Sequence, residues 1–447
     1  EAIEAAASEG VSLIVSVDTG IRSSDVVRRA TELGVDVIVT DHHLPEEELP
    51  PALAVLNPNR VDCGYPEKNL CGAGVAFQLA QALFARMGWE EERRRRIAES
   101  FLKMVALATV ADVAPLTGEN RIFVKHGLNG LRDVRNPGLR ALLDVAGFRA
   151  AAPDARQVAF QIAPRINAAG RMDTAQGVIE LFLTADPARA RELARELNER
   201  NAERQQVEAE ILEACLAQKA EDSARALVYY GESWHRGVLG IVASRLVERT
   251  RRPVFVLGRN PADGLAQGSG RGIPAFHLLD ALESMRDLFV RFGGHKHAAG
   301  ATLEAGRVDE FRERFQAYAA AHLTAEDFAP RLEIDAQAEP AELDENAIRG
   351  IFTLAPFGHG NPPPLFAAMG VEVAAPPVVM KEKHLRVSVR RNGRALTLKA
   401  WNFADRAEEL APGSRVDIAF AIEEDAYSAA RGYPGWSATL KAVRAGG

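Results

Sequence analysis

Two short runs of aliphatic and β-branched residues, VSLIVSV (11–17) and VDVIVT (35–40), limit what this chain can fold into more than anything else in it. Each runs straight into a carboxylate, Asp18 and Asp41. Between them, IRSSDVVRRATELG carries helical apolar spacing and a stop at Gly34. PALAVLNP (51–58) supplies a third strand. Strand, helix, strand and strand with short connections predict an open, mostly parallel sheet, with VSLIVSV as a buried strand. In such sheets ligands gather at the carboxyl ends of strands, where Asp18 and Asp41 lie.

At 447 residues the chain is too long for one core, and about three domains are expected. Residues 73–88 and 93–113 have apolar positions at helical spacing, so the sheet continues into a helical stretch within a first domain of 1–185. Residues 186–222 lack Gly, lack Pro after Pro187 and are rich in Ala, Glu, Arg and Leu, which predicts one long connecting helix. Few apolar residues punctuate it, so it is expected to bridge two domains. A second α/β domain follows over 223–322, with RALVYY and PVFVLG as strands around the helix GVLGIVASRLVERT. Over 323–447 short alternating segments, LRVSVRR, ALTLKAWNF, RVDIAFAIEE and GWSATLKAV, predict a small β-barrel.

No apolar run reaches the ~18 residues that span a bilayer. The opening EAIEAAASEG has no basic n-region and no initiator Met, and reads as a cut end without a signal peptide. Cys63, Cys71 and Cys215 form no CxxC pair, which points to structural thiols in a reducing cytoplasm. The four-Arg run Arg93 to Arg96 reads as a solvated helix face. A net charge of −7 argues against a uniformly basic DNA-coating surface, but local patches decide nucleic-acid binding.

The residues able to do chemistry are Asp18, Asp41, His42, His43 and Asp112. Hard divalent ions take carboxylate oxygens, and manganese also accepts imidazole nitrogen. Two such ions about 3.5–4 Å apart can clamp both oxygens of a phosphodiester displacement. Taken singly, Asp18 and Asp41 also suit helix or turn caps. Two adjacent histidines behind an apolar strand, and an acid inside the apolar ALATVADVAPL, fit capping less well.

In this order SVDTG, TDHH and ATVADVAPL resemble motifs of the DHH phosphoesterase superfamily, and FGGHKHAAGATL resembles the glycine-rich motif of the associated DHHA1 domain. FQIAPRINAAGRM, LNERNAERQ, ESWHRGVLGIVASRL and APFGHGNPPPLF narrow the resemblance to its RecJ branch, over essentially the whole chain. The resemblance implies Asp18 bridging two Mn2+ ions (Mg2+ being possible), with His42 and Asp112 as further ligands. It implies Asp41 orienting His42, and His43 beside the scissile phosphate. It further implies a two-metal 5′-to-3′ exonuclease that cuts single-stranded DNA to 5′ mononucleotides in DNA repair and recombination. The family's first motif, a DxD pair, is not found before Asp18, where Glu1, Glu4 and Glu9 are the acids present. Weak or absent activity of this chain is therefore expected.

The glycines Gly293 and Gly294 predict an anion nest, flanked by His295 and His297 as phosphate donors; a tight turn with surface histidines is the alternative. Ser269 and Arg271 in GSGRG are assigned by the resemblance to the 5′ end. Arg165 and Arg171 suit either the substrate or an ion pair with the sheet domain, and His235 either the strand or a helix cap. In the barrel, Lys381, Lys383, Arg386, Arg390, Arg391, Arg394 and Lys399 precede Trp401 and Phe403. Basic residues beside aromatics suit a single strand; an exposed charged strand with core aromatics is the alternative. Other readings are a metal-free strand-binding scaffold and a phosphoesterase for short oligonucleotides or cyclic dinucleotides. Expected partners are single-stranded DNA, with a single-strand-binding protein or a helicase, for a monomer that engages no membrane.

Overall fold

The computed structural model describes residues 1–148, 153–172, 175–218, 223–260 and 262–446. The chain forms two compact units. One comprises Glu1–Val134, Ala150–Ala163 and Leu332–Gly447; the other comprises Arg135–Arg149 and Pro164–Arg331. No described helix is long and apolar enough to cross a membrane.

In the first unit, β1 (Leu13–Val17), β2 (Asp36–Thr40) and β3 (Ala54–Leu56) pair in parallel in the order β1-β2-β3. Before them lies α1 (Ala2–Ser8), and between β1 and β2 runs α2 (Ser24–Glu32). Val27 and Ala30 of α2 bury against Val35, Val37 and Val39, so the helical and strand periodicities meet on one face. On β1 the burial alternates. Ile14 packs into that core, whereas Leu13, Val15 and Val17 are 47%, 45% and 49% exposed. The expectation of a strand buried on both faces is corrected here, because nothing described covers the second face of β1.

Helices α3 (Gly72–Arg86) and α4 (Glu91–Ala111) follow, and then the helix Gly118–Gly130. Phe77 and Phe123 meet edge to face with ring centroids 5.4 Å apart. Of the expected four-Arg face, Arg93 lies over Trp89 at 4.0 Å, and Trp89 stacks on Phe84 at 4.5 Å.

The second unit contains the expected long helix as Pro187–Ala217, 31 residues and about 46 Å long. Asp186 caps it by accepting from the Ala188 N–H at 2.8 Å. Ala190, Leu193, Ala194, Leu197, Ile211, Leu212 and Cys215 are buried at spacings of three and four. Alanines and the polar Asn201, Arg204 and Glu208 share the buried stripe with leucines and Ile211, which is why a count of large apolar residues understated it. Inside that stripe Arg204 donates to Glu208 at 2.7 Å and to Asn201 at 3.1 Å, and Arg245 also pairs with Glu208.

Its sheet has the order β4-β5-β6-β8-β7, with β4 (Leu227–Gly231), β5 (Val254–Arg259), β6 (Leu265–Arg271), β7 (Phe289–Gly294) and β8 (Ala298–Glu304). β4 and β5 are parallel around the crossover helix Arg236–Thr250; the other pairings are antiparallel. Val254 and Val256 face that helix, while Phe255 and Leu257 face Phe311 and Phe315 of the helix Val308–His322.

In the first unit again, β9 (Ala336–Gln337), β10 (Leu365–Val373), β11 (Val378–Met380), β12 (His384–Arg391), β13 (Arg394–Ala400), β14 (Arg415–Glu424) and β15 (Trp436–Ala445) form the expected barrel. A β10–β12 pairing closes it, and β13 and β15 run parallel. Inward residues such as Leu385, Val387, Val389, Leu398 and Phe420 fill the interior.

Asp425, at the end of β14, accepts from Lys399 Nζ at 2.6 Å and from Ser428 Oγ at 2.7 Å. The Lys399 bond, then that of Ser428, holds its carboxyl down at about 2. A carboxyl depressed in the folded state stabilises the fold above its ordinary pKa, and that contribution is lost as pH falls toward 2. Urea melts across this range should show Asp425→Asn costing about 1 kcal/mol at neutral pH, with the difference vanishing near pH 2. A pH-independent difference would contradict the ionic origin.

Candidate metal centre

The ends of β1 and β2 position the site. Asp18 follows β1 with φ +63, in a left-handed conformation that Asp tolerates better than most residues, and its N–H donates to the Thr40 carbonyl at 3.0 Å. His42 follows β2, and its Nε2 lies 3.0 Å from Asp18 Oδ1 and 3.7 Å from Asp112 Oδ2. His42 thus lies between two carboxylates expected from sequence, with Asp18 the nearer. Ligands about 2.1 Å from an octahedral ion lie about 3 Å from one another, so the Asp18–His42 separation suits a shared ion. Among the described residues, the group whose donor atoms all lie within 4.8 Å of one another is Asp18, His42 and His43.

Asp112 ends α4 as its C-cap rather than interrupting the helix, and Val113 turns the chain away with φ +56. A carboxylate at a helix C-terminus meets the negative end of the macrodipole, which disfavours its charge unless a cation is near. Desolvation pushes the Asp112 carboxyl up, opposed by His42 and reinforced by Asp18. Two carboxylates and an imidazole edge with this arrangement fit a divalent cation.

Asp41 is buried, and its partners differ from those expected. Its Oδ1 accepts from the His42 N–H at 2.7 Å and the His43 N–H at 3.2 Å, and contacts His43 Nδ1 at 2.7 Å. Its Oδ2 accepts from the Ile21 N–H at 3.0 Å. Burial opposes ionisation, but these bonds outweigh it and hold the carboxyl below its ordinary range. Asp41 therefore orients the His43 ring, not that of His42. The two rings lie 4.6 Å apart and tilted at 56°, and it is the second histidine that contacts the carboxylate.

Several residues that sequence reasoning passed over hold these groups. Asn57 Nδ2 donates to the His43 carbonyl at 2.8 Å, and Asn59 Nδ2 to the His42 carbonyl at 2.6 Å. They clamp the backbone of the histidine pair from the NPNR turn after β3. Gly72 opens α3 against Asp18: a Cβ there would stand 2.4 Å from Asp18 Cβ and 2.5 Å from Oδ1. Cys71 Sγ reaches Thr109 Oγ1 at 3.4 Å, tying α3 to the last turn of α4, and burial raises its thiol pKa. Behind Asp112, Leu116 N–H donates to the His359 carbonyl at 2.6 Å, and Arg121 Nη2 to the Leu354 carbonyl at 3.0 Å. Gly360, with φ +71, would bring a Cβ within 2.9 Å of Pro115. The segment APFGHGN thereby braces the turn that carries Asp112. The signals for Asn57, Asn59, Gly72 and Gly360 were Gly and Asn in turn-like stretches.

In the second unit, Arg271 Nη1 donates to Ser269 Oγ at 3.2 Å and to the Gly270 carbonyl at 2.8 Å. Gly240 leaves room for it, since a Cβ there would lie 2.9 Å from Arg271 Nη2. Gly293 pairs with Gly300, which pairs with Ser269, so the sheet sets these positions in one row. The nest reading of Gly293 and Gly294 needs correction. Both end β7, and the next N–H, of His295, is used on the Ala298 carbonyl at 2.8 Å. The hairpin presents His295 and His297 as exposed side chains at its tip. Arg165 Nε donates to Asn198 Oδ1 on the long helix at 3.0 Å. The Arg171 side chain lies outside the described residues. His235 Nδ1 accepts from the Gly237 N–H at 3.2 Å, which is the helix-cap alternative.

In the barrel, Arg390 pairs with Glu372 at 2.6 Å. Trp401 is 46% exposed with the His384 ring edge-on at 4.8 Å, whereas Phe403 is buried. The two aromatics thus divide between surface and core. Lys399 is taken by Asp425.

Comparisons agree with this assembly. The sequence matches the DHH family, N-terminal domain, over residues 2–109, the DHHA1 domain over 223–321 and the RecJ OB domain over 334–432. It is 41% identical over 411 residues to the single-stranded-DNA-specific exonuclease RecJ of Dickeya dadantii, covering 88% of this chain and 70% of that protein. The protein of the same name from Bacillus subtilis is 36% identical over 421 residues, and the chain spans 52% of its length. Among solved structures, RecJ of Thermus thermophilus in complex with Mn2+ superposes with a TM-score of 0.82 at 36% identity, over 99% of this chain and 63% of that one. The Mg2+ complex from the same organism gives a TM-score of 0.76 at 33% identity, over 99% of this chain and 69% of that one.

The close approach of Gly72 to Asp18 yields a direct test. Gly72→Ala should weaken Mn2+ binding about 10- to 100-fold in titration calorimetry by displacing the carboxylate. Wild-type affinity in that variant would remove Asp18 from the ligand set.

Proposed function

The chain belongs to the RecJ family, and on that premise we propose that it is a metal-dependent exonuclease degrading single-stranded DNA from the 5′ end to 5′ mononucleotides, in DNA repair and recombination. The observation that carries the proposal is the convergence of His42 Nε2 on Asp18 at 3.0 Å and Asp112 at 3.7 Å. Solved relatives hold Mn2+ or Mg2+, so the ion proposed here is Mn2+, with Mg2+ as a substitute.

Asp18, His42 and Asp112 would hold the ion, which when bound supplies Lewis acidity toward a phosphoryl oxygen. Asp41 accepts the Nδ1 proton of His43 and so leaves Nε2 as the free ring atom beside the metal donors. From there His43 Nε2 accepts a proton released during attack, and the imidazolium so formed can donate a hydrogen bond to the phosphate. Ser269, Arg271 and the His295–His297 hairpin tip lie on one sheet and are assigned to the 5′ end, where an Arg fork matches terminal phosphate oxygens. Trp401 offers an exposed ring for base stacking, with Lys381 and Lys383 exposed in the preceding turn for the backbone. In this reading 1–185 carries the chemistry, 186–222 connects, 223–322 holds the strand end and 323–447 holds the strand.

A second reading, a strand-binding scaffold with little turnover, draws on the single cluster of converging metal donors among the described residues. The two separate experimentally. With Mn2+, a 3′-labelled, 5′-phosphorylated single strand should release mononucleotides, and His42→Ala should lower the rate by at least about 100-fold. Undiminished cleavage by His42→Ala would sink the metal assignment; strand binding without any cleavage by the wild type would favour the scaffold. Affinity for the strand should fall linearly on a log–log plot against salt, and a flat response would exclude backbone contacts.

A further inference from the structure

At the end of the barrel away from Trp401 the surface is indented by an open groove of about 820 Å³. Four arginines line it: Arg390, Arg391, Arg415 and Arg444. We propose that this groove is a second binding site for the phosphodiester backbone of a single strand, separate from the Trp401 surface. The proposal rests on the single-strand reading above and extends it to a second point of contact.

The ladders place the two surfaces apart. His384, which meets Trp401, begins β12, and Arg390 and Arg391 end it, about 23 Å away at strand rise. Arg390 pairs across the ladder with Glu372, which pairs with Arg415 at the start of β14. Arg444 pairs with Asp417 near the end of β15. The four arginines come from three strand ends that the barrel closure gathers. The floor exists because β10 bulges between Ala368 and Val371, with Gly370 at φ +58.

Charge placement points to an anion. Three of the arginines are held by a carboxylate: Arg390 by Glu372 at 2.6 Å, Arg391 by Glu339 at 3.2 Å and Arg444 by Asp417 at 3.0 Å. Asp417 is itself fixed by the Gly370 N–H at 2.8 Å. A guanidinium anchored along one edge keeps its remaining N–H groups oriented for a second acceptor, at little further cost in side-chain entropy. Arg415 makes no direct ion pair among the described residues; it stands across the ladder from Glu372, whose carboxylate is already held by Arg390. Planar forks suit phosphate, which they bind through two oxygens. Apolar lining is confined to Met369 and Ala445, so the groove lacks the buried aromatic or aliphatic anchor on which protein interfaces depend. That disfavours an acidic protein partner.

The test uses fluorescence anisotropy of the full chain with labelled oligothymidylates of 8 and 20 nucleotides, in chelator so that no cleavage occurs. The double variant Arg415→Gln/Arg444→Gln should bind the 20-mer about tenfold more weakly, with a salt slope smaller by about 1.4, since each lost phosphate contact removes about 0.7. Its deficit should grow with strand length. Trp401→Ala should weaken both lengths. If the double variant melts early, the single Arg415→Gln, which loses no ion pair, decides the matter, with Arg415→Lys restoring most of the slope. Unchanged 20-mer affinity and slope in Arg415→Gln, alongside a Trp401-sensitive 8-mer, would overturn the groove alone. Failure of the wild type to bind either oligonucleotide would overturn the single-strand reading and the groove with it. Binding of a polyglutamate peptide that Arg415→Gln abolishes, with the 20-mer unaffected, would reassign the groove to an acidic protein.

Discussion

The buried Asp41 carboxylate is the interaction on which the metal centre depends. It gathers the N–H groups of Ile21, His42 and His43 and the Nδ1 of His43 around two oxygens. These donors come from the turn after β1 and from its own turn after β2, so one side chain locks two strand ends together. A buried carboxylate with no such partners would be strongly destabilising, and with them it becomes a rigid hub. Rigidity matters because the donors it positions are short. Asp18 and His42 have no long flexible stem with which to correct a displaced backbone. The Asn57 and Asn59 bonds to the carbonyls of His43 and His42 complete the clamp, fixing the same peptides from their acceptor sides.

Much of this was legible in the sequence. Alternating strand and helix periods located the sheet, the carboxylates at its strand ends and the barrel, because each reflects burial of an apolar face. Of the ligand candidates, Asp18 and His42 meet because both follow neighbouring parallel strands, and Asp112 reaches His42 from the C-terminus of α4. The role of Asp41 was not legible. Which of two adjacent histidines turns back over a carboxylate depends on the local backbone, and spacing carries no record of that. Gly72 was also invisible: its importance lies in the absence of a Cβ where Asp18 packs, and an N-terminal helix glycine gives the same signal for many reasons.

The long helix reads as poor in apolar residues because its buried stripe mixes Ala and Leu with the ion pair of Arg204 and Glu208. A charged pair counts as polar in any periodicity, yet a paired Arg and Glu can line a packed interface. The β7 hairpin looked like an anion nest because GGH suggests a turn. In the structure the glycines instead complete a ladder whose far rungs are also small, Gly300 and Ser269. Small residues in three adjacent strands flatten that part of the sheet surface. Hydrogen-bonding side chains such as Ser269 then stand out from it.

The net charge of −7 would suggest a poor ligand for a polyanion, and the placement of the carboxylates resolves the conflict. Many of them are not free surface charge. Asp18 and Asp112 both lie beside His42, where a bound cation would relieve their mutual repulsion. Glu339, Glu372, Asp417 and Asp425 are each engaged by an arginine or a lysine of the barrel. Local potential falls off over a Debye length of roughly 8 Å at physiological salt, so a strand meets the nearby guanidinium edges rather than the molecular total. An acid that orients a base costs little local attraction when the base projects farther into solvent than the acid. Arg444 is 73% exposed while its partner Asp417 is 11% exposed, which is that geometry. The acids of the barrel groove therefore serve to orient its arginines, and the net charge says little about what that surface attracts.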